Sequence, residues 1–250
     1  MATNFQSIYI LASGLLYQQR KLDVIANNLA NIDTDGFKKV LLTAQAYPVK
    51  NSDESENLNP SSPLNPSNNF VYPVMGIEKV DTSPGELKRT GNPLDVAING
   101  KGFFAVKVGD KVLYTRDGHF LLDPQGYLIT QNGNPVLDEN GNRILIGNAP
   151  LSSIKITKDG TIFVGTRWIA KLKVVNLKGI KHVGNNLYTG EITKNEPFEV
   201  VQGYLEGSNV NPVEEMTRMI ETVRAYEAFA NAMKTLDEND SKLINEILKA

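Results

Sequence analysis

The stretch Leu22–Lys39, LDVIANNLANIDTDGFKK, decides how the rest of the chain is read. Leu22, Ile25, Leu29 and Ile32 recur at steps of three and four residues, which sets them on one face of an α-helix. Asn27, Asn28 and Asn31 sit among them, although asparagine is a mediocre helix former. Asp33-Thr34-Asp35-Gly36 then carries turn signals. Gly36 is expected to end the helix in a left-handed cap, with Phe37 packing back on it.

The same periodicity extends upstream. Ile8, Leu15, Leu22 and Leu29 form one heptad set, and Leu11, Gln18, Ile25 and Ile32 the other. A helix of about 25 residues spans roughly 38 Å, too long for a small core to cover, so a partner helix is expected. The C-terminus offers one. Asn211 suits a cap, Pro212 the first helical position, and Glu214 a capping box. Met216, Met219, Val223, Tyr226, Ala230 and Met233 follow as a stripe, which Leu236, Leu243 and Ile247 continue after a phase shift.

Between the two helices the pattern is different. Pro48–Phe70 is rich in Pro, Ser and Asn and reads as an extended loop. From Val71 to Leu205, short runs such as Leu94–Ile98, Gly102–Val108, Val112–Thr115, His119–Leu122 and Tyr127–Thr130 read as strands. Gly109-Asp110, Asp117-Gly118, Pro124-Gln125-Gly126, Asn132-Gly133, Asn140-Gly141 and Asp159-Gly160 supply the turns. The expected fold is therefore α+β and discontinuous. N- and C-terminal helices form a coiled-coil-like core, and an antiparallel β domain, barrel or sandwich, is inserted between them. The expected boundaries are 1–40 for the first helix, 41–70 for the linker, 71–206 for the β domain and 207–250 for the last helix.

Composition narrows the function. The formal charge of −2 speaks against nucleic acid or an anionic membrane as partner. No run approaches the roughly 18 apolar residues of a membrane helix. The N-terminal segment lacks a basic region ahead of its apolar run, so no Sec signal is expected. The chain has no cysteine, which removes disulfides, thiolate catalysis and Cys-ligated metals.

No catalytic constellation stands out. His119 and His182 have no nucleophile at a recognisable spacing. Gly100-Lys101-Gly102 opens like a phosphate loop but runs into Phe103-Phe104. Asp138-Glu139-Asn140-Gly141-Asn142 lacks the closing glutamate of a calcium loop. Asp95, Arg116, Asp117 and Asp123 adjoin turns or strand ends and read as local turn formers. No enzyme, cofactor, metal or small-molecule substrate is expected.

Three segments together carry a resemblance. Ala26-Asn27-Asn28-Leu29-Ala30-Asn31 and Thr34-Asp35-Gly36-Phe37-Lys38 resemble the N-terminal signature of the flagellar rod and hook family. Glu206, Ser208-Asn209-Val210, Glu215-Met216, Met219-Ile220 and Arg224-Ala225-Tyr226-Glu227 resemble its C-terminal signature. TGNPLDVAINGKGFFAVK and YTRDGHFLLDPQGYLIT resemble the β domain of its rod members. Leu205–Val213 looks most like the proximal-rod type, the distal-rod type being the runner-up.

The resemblance implies a structural subunit of the periplasmic rod, exported unfolded through the flagellar type III apparatus. Its implied partners are copies of itself and other rod and hook proteins. The implied assembly interface comprises Leu15, Leu22, Ile25, Asn27, Asn28, Leu29, Asn31, Ile32, Gly36 and Phe37 from the N-terminal segment. Met216, Met219, Ile220, Val223, Tyr226 and Met233 supply the C-terminal part. On this reading the amides of Gln18, Asn27, Asn28 and Asn31 select the register between helices, because a wrong register leaves them unpaired. The competing reading is a coiled-coil oligomer whose β domain binds a glycan or a protein.

Overall fold

In a computed structural model of the 250-residue chain, the described residues are 3–48, 71–74, 77–194 and 196–247. The architecture is α+β: helix α1 (Thr3–Ala30), a long series of antiparallel strands, then helix α2 (Pro212–Ile247). The loop expected over Pro48–Phe70 falls on residues 49–70, outside the described residues.

The chain divides into two compact units. The first comprises 1–26, 42–78 and 213–250, and the second 27–41 and 79–212. In the first unit α1 and α2 meet where Gly14 is buried against the Phe229 ring. A Cβ at position 14 would lie 2.8 Å from Phe229 Cε1, so the missing side chain makes room for the aromatic ring. Strands Gln45–Pro48 and Val71–Val74 pair antiparallel in the same unit. Arg20 and Glu78 form an exposed ion pair at 2.5 Å.

The heptad positions of α1 avoid full exposure: Ile25 is buried, while Ile8, Leu11, Leu15, Gln18, Leu22 and Leu29 are half-buried. Helix α2 starts at Pro212, where the sequence expects it. Its buried face differs from the expected stripe. Among the described residues of α2, Glu215 and Thr222 are buried, whereas Met216, Ile220, Val223 and Tyr226 are exposed. Thr222 can turn inward because its hydroxyl donates to the Arg218 carbonyl, 2.6 Å away, and so keeps a partner there.

The second unit has an apolar core in which Val96, Phe104, Val106, Phe120, Leu128, Val136, Ile144, Ile162 and Leu172 are almost wholly buried. Alternation along the strands builds it: Phe120 and Leu128 face in, Leu121 and Ile129 out. Phe103–Val108, Lys111–Thr115, Leu187–Thr193 and Val174–Gly184 close into a four-strand ring. Hairpin turns fall at Gly109-Asp110, Pro124-Gln125-Gly126 and Asp159-Gly160, as the sequence expects. The turn at Asn185-Asn186 has no glycine, and both residues adopt positive φ, +49° and +57°. Asparagine tolerates that conformation better than most residues, so a turn search built on glycine passes over it.

Two pairings bring the ends of this unit together. Leu87–Arg89 pairs with Tyr204–Glu206, and Val96–Gly100 with Phe198–Gln202. The segment just before α2 thus lies beside strands more than a hundred residues earlier, which sets up the site below.

Candidate functional site

Three segments converge inside the second unit: Thr34–Lys39, Arg116–Gly118 and Glu206–Asn209. At the centre stands Glu206, 1 % exposed. The Lys38 ammonium donates to Glu206 Oε1 at 2.6 Å and to the Ser83 carbonyl at 2.7 Å. The Gly85 N–H donates to the same carboxylate oxygen at 2.9 Å. Arg116 Nη1 lies 3.3 Å from Glu206 Oε2. The guanidinium also donates to the carbonyls of Ile98 (3.0 Å) and Gly100 (2.5 Å) and stands 5.5 Å over the Phe103 ring.

One buried carboxylate therefore serves two buried cations. Burial lowers the Lys38 pKa, and the Glu206 charge beside it works the other way. Burial likewise lowers that of Arg116, opposed by Glu206. The carbonyls and the aromatic face stabilise the cation that the single carboxylate does not fully neutralise.

A second chain of bonds runs alongside. The Lys38 backbone N–H donates to the Tyr188 hydroxyl (2.9 Å), which donates to Asn186 Oδ1 (3.0 Å); Asn186 Nδ2 donates to the Asp35 carbonyl (2.6 Å). Burial raises the Tyr188 pKa, so the hydroxyl keeps the proton it donates. Asn209 ties the same strip from the other side. Its Oδ1 accepts from the Lys39 N–H at 2.8 Å, and its Nδ2 donates to the carbonyls of Asp81 and Ser83.

Gly36 corrects an expectation. Helix α1 ends at Ala30, so Gly36, at φ +71°, is not its cap. It is a point of close approach: a Cβ there would overlap the backbone of Arg116 and Asp117. Its N–H donates to the Glu206 carbonyl at 2.5 Å. Phe37 is buried edge-on to the His182 ring, 5.9 Å away.

The amides have partners inside the chain. Asn28 is buried and braces Val40 on both backbone groups, donating to its carbonyl and accepting from its N–H, each at 2.9 Å. Asn31 Nδ2 donates to the Asn27 carbonyl at 2.8 Å, and Asn31 Oδ1 accepts from the Thr34 hydroxyl at 3.1 Å. These amides have uses within the chain because the residues after α1 turn back beside its last turn. Gln18 Oε1, by contrast, is buried without a hydrogen-bond partner among the described residues.

Of the remaining interface candidates, Ile25 is buried and Leu15, Leu22, Leu29, Ile32, Met219 and Met233 are half-buried. Asn27, Met216, Ile220, Val223 and Tyr226 are exposed. The residues that sequence reasoning missed are Arg116 and Tyr188, together with the roles of Lys38, Glu206 and Asn209. Arg116 read as a turn former, yet it reaches across the unit; Asp117 and Asp123 do cap local turns. The available signal was a charged residue inside each of the three quoted motifs. Asp117 is pushed up to about 6 by burial. Among the described residues no group of three or more His, Asp or Glu side chains is placed to hold a metal ion.

This network ties the three segments into one frame. Residues 8–38 match the family described as flagella basal body rod protein, 97–164 the D1 domain of the flagellar hook protein FlgE/F/G, and 201–246 the C-terminal part of the flagellar basal body rod FlgEFG proteins. The chain is 36 % identical to the flagellar basal-body rod protein FlgF of Caulobacter vibrioides, over 97 % of this chain and 98 % of that one. It is 34 % identical to FlgG of Buchnera aphidicola from Acyrthosiphon pisum (95 % and 98 % covered) and 31 % identical to FlgG of Bacillus subtilis (96 % and 98 %). The chain belongs to the flagellar basal-body rod protein family. It is a structural subunit of the rod, and its part in motility follows from that role.

Proposed function

We propose that this rod subunit polymerises with copies of itself, and with other rod and hook proteins, through its terminal helices. The observation that carries this reading is the exposed stripe Met216, Ile220, Val223 and Tyr226 on α2. Contiguous exposed apolar residues on one helix face mark a contact surface. The paired helices act as a coiled-coil-like core, a reading supported by the close approach at Gly14 and Phe229. The β unit acts as a barrel, supported by the closed order of four of its strands.

The place of work is the periplasmic rod, reached by type III export of the unfolded chain. The absence of cysteine suits such a route. Within the rod we favour the proximal position, on the strength of the Leu205–Val213 stretch. The test is electron microscopy of basal bodies from cells lacking the gene. The expected result is rods that stop short of full length; complete rods and normal swimming would overturn the proposal.

A further inference from the structure

Where Leu87–Arg89 pairs with Tyr204–Glu206, the second unit carries a cavity of 360 Å³. That volume falls at the small end of the range for ligand pockets. Hydrogen bonds tie its walls together. Gln202 Nε2 donates to the carbonyls of Pro93 (2.8 Å) and Ile154 (3.0 Å), and Gln202 Oε1 accepts from the Ile156 N–H (3.1 Å). The N–H groups of Thr90 and Gly91 both donate to the Gly203 carbonyl, at 2.9 and 3.1 Å. Gly91 and Gly203 line the cavity at positive φ, +77° and +78°, and a Cβ at position 91 would meet nothing within 4 Å. This part of the wall is bare backbone, which a ligand can approach closely.

Two polar side chains at the cavity remain unused. Arg89 and Tyr204 are register partners, so they stand side by side on one face of the strand pair. Among the described residues, neither the Arg89 guanidinium nor the Tyr204 hydroxyl has a hydrogen-bond or ion-pair partner. Arg89 is also the one charged residue among those that line the cavity. A guanidinium presents a planar fork of donors that fits the two oxygens of a carboxylate, and the phenol beside it adds another donor. Pro93 and Ile154 offer an apolar wall to the atoms behind such a group. A phosphate carries more charge than this single cation matches. We propose that this cavity binds a carboxylate on a short apolar stem, the chemistry that a small free acid shares with an acidic side chain of a protein partner. All its residues belong to the second unit, so the site does not draw on the helix stripe.

The full chain, dilute enough to stay monomeric and held at fixed ionic strength, is titrated with sodium butyrate, with N-acetylglutamate amide and with sodium phosphate. The amide NMR shifts of Gly91 and Gly203 are read for wild type, Arg89→Gln and Tyr204→Phe. Both carboxylates should give saturable shifts, with phosphate binding clearly weaker. Arg89→Gln should weaken carboxylate binding about tenfold or more and Tyr204→Phe about threefold, each with an unchanged unfolding midpoint. Tighter binding of butyrate identifies a free acid as the source, and tighter binding of the blocked glutamate a protein side chain; either supports the site. No saturable shift with either carboxylate would overturn the proposal, as would equal affinity in wild type and Arg89→Gln. Phosphate binding as tightly as the carboxylates would overturn the assigned ligand class.

Discussion

Lys38 and Glu206 meet at 2.6 Å across 168 residues of sequence, each almost completely shielded from water. The pair fixes the segment that follows α1 to the segment that precedes α2. Both segments come from the terminal signatures, and Arg116 adds the central one. The similarity of the three motifs to one family thus has a physical basis: their charged members share one carboxylate.

Removing that carboxylate leaves two cations buried with no counter-charge. Glu206→Ala should cost about 3–5 kcal/mol, the usual penalty for breaking a buried pair from one side. In a chain of this size that is roughly a 10 °C fall in unfolding midpoint, read by calorimetry. A fall of one or two degrees would mean that the cations are held by their carbonyl partners alone.

Asp117 gives the second prediction. Its folded pKa, about 6, stands above its ordinary value of 3.8 because the carboxyl is buried. The folded chain therefore holds this proton more tightly than the unfolded chain. The stabilising contribution is fully present below about pH 4 and is lost as the pH rises through 6. Asp117→Asn, which keeps the acceptor for the His119 N–H, should raise stability above pH 6 by about 2–3 kcal/mol and leave it unchanged at pH 4. Denaturant titrations at the two pH values check this; an equal effect at both would refute it.

The third prediction is steric. Gly36→Ala puts a methyl group into the Arg116–Asp117 backbone at a residue already at φ +71°. The expected loss is about 3–4 kcal/mol. A Gly36 that were merely a helix cap would lose about 1 kcal/mol, so the size of the change in the urea midpoint separates the two roles.

A fourth concerns Asn28. Asn28→Ala strands the N–H and C=O of Val40 and should cost about 2–4 kcal/mol. Asn28→Asp keeps the acceptor but buries a carboxylate against the Val40 carbonyl, so at neutral pH it should be no more stable than alanine. Amide exchange at Val40 should quicken in both variants, and an unchanged rate would show the brace to be dispensable.

The helices and most strands were legible because their signals are local. Period 3.6 in α1, Pro212 at the start of α2 and the Gly-containing turns each act within a few residues of sequence. The charge network was not legible, because nothing near Arg116 in sequence says that its guanidinium lies beside Glu206. Gly36 was noticed as a turn signal and Asn28 as an amide in a helical pattern, but the backbone each one meets was not legible. Both act on backbone that arrives from elsewhere in the fold. On α2 periodicity alone did not say which side faces the rest of its own chain: Glu215 and Thr222 are buried there, while Met216, Ile220, Val223 and Tyr226 are exposed.

The charge network holds the fold, the exposed helix stripe is proposed to join subunits, and Ile220 tests that separation most directly. Ile220 is 55 % exposed, so Ile220→Asp should leave the unfolding midpoint unchanged. Analytical ultracentrifugation of the full chain over a range of concentration is the measurement. Wild type should grow into open-ended assemblies while Ile220→Asp stays monomeric at the same concentrations. A variant that assembles as readily as wild type would contradict the claim that this stripe drives polymerisation.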